Sequence, residues 1–142
     1  MAWTDPISWA LDGRETRLRV FVRDDDAGWN DERLFLLLDM FAREEFPIDL
    51  AVIPTVIGPR LVSELTKRSA GAALRVHQHG FAHTNHQPGG RKCEFGDARS
   101  TTAMRADIAT GRRLLLDRFG PLADPIFTPP WNRCTRDRKS VV

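Results

Sequence analysis

The 142-residue chain has few cysteines and no long apolar run, and each scarcity excludes a class of protein. Its two cysteines, Cys93 and Cys134, lack the paired spacing of a structural zinc site, and we predict free thiols. No apolar run approaches the roughly 20 residues of a membrane span. The N-terminus lacks the basic start and the apolar segment of a signal peptide, so we expect a cytoplasmic protein without a membrane partner.

The chain also lacks a large excess of charge of either sign. The formal net charge of +2 is too small to argue for nucleic acid as a partner, and basic residues alternate with acidic ones except at 133–139. With 42% apolar and 28% charged residues, the composition is that of an ordinary globular protein. We predict one domain over 1–142 with an irregular tail at 133–142, large enough to bury a core.

What the chain does have is a cluster of histidines. All four histidines lie in one short stretch: His77, His79, His83 and His86. Imidazole is the commonest metal ligand and titrates near neutral pH, so the cluster indicates a metal or proton-transfer site. The alternative is a polar loop whose histidines serve only for capping and hydrogen bonding.

The apolar pattern predicts strands alternating with helices. We predict a first strand that begins at 18 and ends at 23–26, and further strands at 48–54, 73–76 and 125–131. We predict helices at 5–13, capped by Asp5, at 30–41, capped by Asn30 or Asp31, from 59, and at 100–119, capped by Ser100. This alternation predicts an α/β fold of parallel βα units. The polar clusters 24–26, 77–86 and 129–132 follow strands, where such folds place their sites.

A two-histidine, one-carboxylate site is the chemistry that these clusters could provide. His79 and His83 share a face if the chain turns helical after its strand, and an aspartate from 24–26 would complete the set. Such a site suits zinc or a similar divalent ion, and a second aspartate could act as general base. On an extended strand Asp24 and Asp26 share a face, whereas Asp25 and Asp26 converge only if the backbone turns at Asp26. The aspartates could alternatively form a solvated turn or a helix cap.

Three segments in order resemble the polysaccharide deacetylases, a family of metal-dependent carbohydrate esterases with a distorted β/α barrel. In that family the first motif is a strand-end Asp-Asp pair, the second is His-x-x-x-His, and the third is Arg-x-Pro-aromatic. Here Arg23-Asp24-Asp25-Asp26-Ala27-Gly28, His79-Gly80-Phe81-Ala82-His83 and Thr128-Pro129-Pro130-Trp131-Asn132 resemble them. The resemblance covers roughly residues 18–132.

The resemblance implies a role for each matching residue. Asp25 would be the catalytic base; Asp26, His79 and His83 would hold a divalent metal, with zinc favoured; Trp131 and Pro130 would bind substrate. The implied reaction removes an acyl group from an N-acetylated sugar or a related small amide.

The chain also departs from the family in three ways. Thr128 replaces the arginine that steadies the base, and Arg23 could take over that task because it shares a strand face with Asp25. The family's later histidine, a general acid, has no match here. Four βα units form only part of a barrel, and the open sheet edge predicts pairing with a second copy as a homodimer.

Two alternative functions remain open. One is a catalytically incomplete fragment that binds metal or carbohydrate without turnover. The other is an Fe(II) oxygenase, whose ligand set is the same.

Other polar and aromatic residues keep two interpretations each. His77 and His86 are spare imidazoles, expected to pack or hydrogen-bond. Asn85 and Glu94 could orient metal ligands or only hydrogen-bond within a loop. Trp29 could belong to the core or to the cleft wall.

Overall fold

The fold is a four-stranded parallel sheet with a helix between each pair of successive strands. It is given by a computed structural model that describes residues 2–13, 19–71 and 73–134. The strands are β1 (Arg23–Ala27), β2 (Ile48–Val52), β3 (Leu74–His79) and β4 (Ala123–Thr128), and the helices are α1 (Asp5–Leu11), α2 (Asp31–Arg43), α3 (Pro59–Ser69) and α4 (Thr101–Phe119). The order in the sheet is β1-β2-β3-β4, so neighbours in sequence are neighbours in space, as in a β/α barrel. The parallel βα units predicted from the sequence are therefore present.

The core lies between the sheet and helices α2, α3 and α4. Leu50, Val52 and Val76 on the two central strands are fully buried, and the helices pack Leu38, Leu61, Leu65 and Leu115 against them. Each buried aliphatic side chain of this size stabilises the fold by about 1.5–3 kcal/mol. None of the described helices combines the length and apolarity needed to cross a membrane.

Local sequence signals place most helix starts correctly. The Asn30 and Ser100 side chains accept hydrogen bonds from the backbone N–H groups of Arg33 and Ala103, at 3.1 and 3.2 Å, as N-caps do. The predicted cap at Asp5 is wrong. Asp5 is the first residue of α1 and its carboxylate accepts from the N–H of Ala2 instead.

The first strand lies later in the chain than predicted. Val20 and Phe21 are 63% and 73% exposed, and β1 consists of the arginine, the aspartates and Ala27. Leu18 lies outside the described residues. Pairing with β2 decides this register, because Arg23 aligns with Asp49 and Asp24 with Leu50. As an edge strand, β1 accommodates polar residues that a central strand would have to bury.

The last strand is also displaced from its predicted bounds. It begins at Ala123 and ends at Thr128, and a 3-10 turn follows at Pro130–Asn132. Two successive residues without an N–H, Pro129 and Pro130, follow the strand, whereas the single Pro125 is accommodated within it because β4 is an edge strand.

Gly111 shows why a glycine is placed inside a long helix. A Cβ at this position would overlap the Gln78 side chain and the Pro54 ring. The glycine therefore lets α4 approach β3 closely, which offsets the roughly 1 kcal/mol that glycine costs in a helix.

Candidate metal centre

Three predicted ligands meet at the carboxyl edge of the sheet. Asp26 lies near the end of β1, His79 ends β3, and His83 lies in the loop that follows β3. Because parallel strands end at the same edge, residues far apart in sequence come together there.

The donor atoms of the three side chains converge. Oδ1 of Asp26 lies 3.1 Å from Nε2 of His79 and 3.0 Å from Nε2 of His83. The two imidazole side chains are only 2% and 5% exposed. Oδ1 of Asp26 is buried yet has no hydrogen-bond partner among the described residues, since the ring nitrogens approach it without hydrogen-bond alignment.

These distances fit a shared divalent ion. With metal–ligand bonds of about 2.1 Å, neighbouring donor atoms are roughly 3.0–3.4 Å apart in octahedral or tetrahedral coordination. The two distances to Oδ1 of Asp26 lie in this range, and the donor atoms of all three side chains lie within 4.8 Å of one another. Burial lowers the pKa of His79, which favours the neutral imidazole that a metal requires.

The convergence depends on unusual backbone conformations. Asp26 has φ of +65°, at a register irregularity of β1, and His83 has φ of +53°. Only a few per cent of non-glycine residues adopt positive φ. The predicted helical turn between the histidines is absent; Gly80 (φ +58°) and His83 instead bend the chain so that both rings face Asp26.

Asp25 lies in the same cleft and is held by Arg23. Nε and Nη2 of Arg23 donate to the two carboxylate oxygens of Asp25 at 2.7 and 3.1 Å. Nη2 also donates to Oδ1 of Asn132 at 3.0 Å, and Nη1 lies 3.5 Å from Oγ1 of Thr128. The bidentate pair fixes the orientation of the Asp25 carboxylate.

Asp24 does not line this cleft; it lines an adjoining hollow with Asn30, Arg33 and Leu34 of the α2 region. Burial, together with the two neighbouring carboxylates, raises its pKa. Of the two pairings left open by the sequence, the structure brings Asp25 and Asp26 into the cleft with the histidines.

The two spare histidines are outside the cleft. His77 is buried and its Nε2 lies 3.0 Å from Oγ1 of Thr128. Burial, and next the nearby Arg23 cation, lower the pKa of His77. His86 is exposed, and its backbone N–H donates to the carbonyl of Cys93.

Two tryptophans enclose His83. The ring centroids of Trp29 and Trp131 each lie 4.4 Å from that of His83. The surrounding cleft has a volume of about 410 Å³ and is lined by Asp25, Asp26, Trp29, His79, His83, Asn85, Lys92, Trp131 and Asn132. Trp29 thus belongs to the cleft wall, and not to the core.

One predicted substrate residue lies elsewhere. Pro130 is buried, packs against Gly80 and does not line the cleft. Pro130 is therefore left out of the proposed substrate site. Conversely, sequence reasoning gave no role to Lys92 or Asn132, which line the cleft. Asn132 lies within the third motif, whereas Lys92 belongs to no recognisable pattern.

The fold and the site together define a parallel β/α domain with a two-histidine, one-carboxylate cluster at its carboxyl edge. No protein family matches the sequence, and no curated protein does. Two solved structures resemble the fold. One is a family 4 acetyl xylan esterase from Clostridium thermocellum in complex with a cobalt ion, with 12% identity and a TM-score of 0.67. The other is the Xyl-CE4 domain of a multidomain xylanase from the hindgut metagenome of Trinervitermes trinervoides, with 14% identity and a TM-score of 0.65.

Each comparison covers 86% of this chain and 53% of the other chain. The chain therefore spans about half the length of these structures. The likeness confirms the predicted fold, a part of a polysaccharide-deacetylase-like β/α barrel.

Proposed function

We propose that this protein is a metal-dependent hydrolase that removes an acyl group from an acetylated carbohydrate. The observation that carries the proposal is the convergence of Asp26, His79 and His83 beside a second carboxylate, Asp25, that Arg23 orients. The similar fold of an acetyl xylan esterase described with a cobalt ion supports both the reaction class and a divalent metal.

Asp26, His79 and His83 would hold the ion, with zinc as our preferred candidate. When bound, a divalent cation lowers the pKa of a coordinated water molecule and polarises a carbonyl oxygen. Two histidines and one carboxylate leave coordination positions open, as catalytic sites require.

Asp25 would accept the proton of the attacking water. It lies in the same cleft as the three ligands, and its bidentate pair with Arg23 keeps the carboxylate in one orientation. A general base must lie within hydrogen-bonding reach of the proton it removes, so a fixed orientation has a direct effect on rate.

Trp29 and Trp131 would bound the sugar or its acyl group, while Asn85, Lys92 and Asn132 offer hydrogen-bond donors to hydroxyl groups. The sequence resemblance implies an N-acetyl amide, whereas the fold neighbour is named for an acetylated xylan. Both bond types are therefore needed as probes.

Binding without turnover is the second candidate. It is favoured by the positions of the two remaining histidines, since His77 is buried against Thr128 and His86 does not line the cleft. Neither can protonate a leaving group in the cleft.

Elemental analysis of protein purified without chelators, followed by turnover assays, tests the proposal. We expect about one divalent ion per chain, lost in His79→Ala, and hydrolysis of acetylated xylan or N-acetylglucosamine oligomers. Asp25→Asn should lower turnover by about 100- to 10,000-fold while retaining the metal. Metal binding without turnover of either substrate would favour the second candidate. If no metal binds even after it is added back, both the metal-dependent hydrolase and metal binding without turnover are refuted.

A further inference from the structure

Glu94 is a fully buried carboxylate outside the predicted ligand set. It is 1% exposed and forms no ion pair with any cation in the described part of the chain. Burying a charge is costly unless it is paired or hydrogen-bonded, so its partners indicate what it does.

Those partners are two successive backbone N–H groups. Phe81 donates to Oε2 of Glu94 at 3.1 Å, and Ala82 donates to Oε1 at 2.7 Å. Both belong to the four-residue bend 80–83 that leads from His79 to His83. Hydrogen bonds to an ionised acceptor are about twice as strong as neutral ones.

The bend is also held on its other side. A Cβ at Gly80 would overlap both the Glu94 carboxylate and the Pro130 ring, so the backbone fits closely between them. The N–H of Gly80 donates to the carbonyl of Thr128 at 3.0 Å. The bend is thus fixed to β4 and to Glu94, and its last residue, His83, has positive φ.

Glu94 itself is anchored. The neighbouring Phe95 is buried and packs edge-on against Phe127, with ring centroids 5.1 Å apart. The N–H of Cys93 donates to Oδ1 of Asn85 at 3.0 Å, which joins both ends of the intervening loop. Glu94 is therefore a fixed point and not part of a free loop.

The imidazole ring of His83 has no such support of its own. Its Nδ1 is buried and lacks a hydrogen-bond partner within the described ranges. Metal-binding histidines usually gain orientation from a partner at the second nitrogen. Here the orientation of His83 must come from its backbone and from the tryptophans beside it.

We propose that Glu94 is a positioning residue that fixes the bend 80–83 and thereby holds His83 against Asp26 and His79. Its expected effect on metal affinity rests on the proposed function; its effect on the position of His83 does not. Glu94 acts through the backbone and touches neither the ion nor the substrate.

The test compares Glu94→Gln with Asp97→Asn, which removes a carboxylate from an exposed position of the same loop. In metal-free protein, NMR should show exchange of the Phe81 and Ala82 amides at least about tenfold faster in Glu94→Gln, because an amide offers one acceptor in place of two. The ring signals of His83, shifted by the adjacent indoles, should move toward their unfolded positions. Asp97→Asn should change neither.

Zinc titration then gives the functional effect. Glu94→Gln should weaken zinc binding by about 10- to 100-fold, the range seen when groups supporting metal ligands are removed. A Co²⁺ absorption spectrum should change shape in the same variant. Glu94→Asp, which keeps the charge but is shorter by one methylene, should change the measurements in the same direction and replaces Glu94→Gln if circular dichroism shows that variant unfolded.

Parent-like amide exchange and His83 signals in a folded Glu94 variant would overturn the proposal. Equal effects in Asp97→Asn would also overturn it, since they would assign the effect to charge alone. If the parent protein binds no zinc, the proposed function fails, and the exchange and ring signals alone decide the role of Glu94.

Discussion

Charged side chains are arranged differently at the two edges of the parallel sheet, where the strands begin and where they end. At the amino edge, Arg75 next to the start of β3 pairs with Asp124 at the start of β4, with Nε of the arginine 3.1 Å from Oδ2. At the carboxyl edge, Asp26 faces two buried imidazoles and its Oδ1 has no hydrogen-bond partner among the described residues. At the amino edge the opposite charges are paired, whereas at the carboxyl edge the Arg23–Asp25 pair stands beside a carboxylate and two imidazoles that are positioned to share a metal ion.

Most of the strained backbone also lies at the carboxyl edge. Of the five described non-glycine residues with positive φ, only Glu45, just after α2, lies elsewhere; the other four are Asp26, His83, Trp131 and Asn132. Such conformations cost of order 1–3 kcal/mol each and persist where the surrounding structure enforces them. The carboxyl edge therefore carries most of this conformational cost, as expected if it serves the proposed metal site.

The largest expected effect is on metal affinity. Asp26→Asn removes one of three donor groups and its negative charge, so we expect divalent-ion affinity to fall by more than about 100-fold, since even supporting groups contribute 10- to 100-fold. Asp124→Asn, at the opposite edge, should leave affinity unchanged and lower stability only slightly. Isothermal titration with zinc measures both variants, and similar losses in the two would remove the distinction between the edges.

Gly80→Ala should show how tightly the carboxyl edge is packed. The new Cβ overlaps Glu94 and Pro130 and must also adopt positive φ, so we expect a loss of about 2–3 kcal/mol in unfolding free energy. Gly90→Ala is the matched control, because Gly90 also has positive φ but has open space around it. Its loss should be about 1 kcal/mol. Urea unfolding measures both; equal losses would show that packing against Glu94 contributes nothing.

Arg23→Gln tests whether Arg23 positions the proposed base, Asp25, which lies on the same strand. We expect turnover to fall by about tenfold or more, since a misplaced general base loses part of its 10²- to 10⁴-fold contribution. Zinc affinity should stay at the parent value, because Arg23 contacts Asp25 and none of the three ligands. A parallel loss of affinity and turnover would instead indicate a general collapse of the edge.

The smallest effect concerns pH. Burial and Arg23 lower the pKa of His77 below its ordinary 6.5, so the unfolded chain takes up a proton at a higher pH than the folded one. The stability contributed by neutral His77 is therefore complete above about pH 6.5 and is lost as pH falls toward its folded pKa.

We expect the unfolding free energy of metal-free protein to fall between about pH 7 and about pH 5, and to fall less in His77→Gln. Burial also lowers the pKa of His79, so His79 contributes to the remaining pH dependence of the unfolding free energy. Urea unfolding at a series of pH values measures this difference. An unchanged slope in His77→Gln would show that His77 does not contribute.

Much of the fold was predictable because its signals are local. Helix caps such as Asn30 and Ser100, and the apolar run of β2, depend on neighbouring residues. The meeting of the polar clusters at one edge follows from parallel topology alone. The assignments of Asp25 as base and of the three ligands to a metal stay predictions, which the experiments above address.

The features that the sequence did not predict depend on contacts between segments far apart in the chain. The alternation around Val20 favoured an early β1, but pairing with β2 selects Arg23–Ala27. The turn at Asp26 that brings its side chain together with Asp25 comes from positive φ, which no periodic pattern encodes. Likewise, the burial of Pro130 follows from how β4 approaches Gly80.

The packing of Trp29 and Trp131 against His83 has an optical consequence. Two of the four indoles of the chain lie beside the cluster that would receive the ion, while Trp3 and Trp9 are exposed near the N-terminus. A coloured ion such as Co²⁺ or Cu²⁺ bound there would quench the fluorescence of the first pair and spare the second. The site thus contains its own reporter, and its occupancy can be followed by tryptophan emission without any added dye.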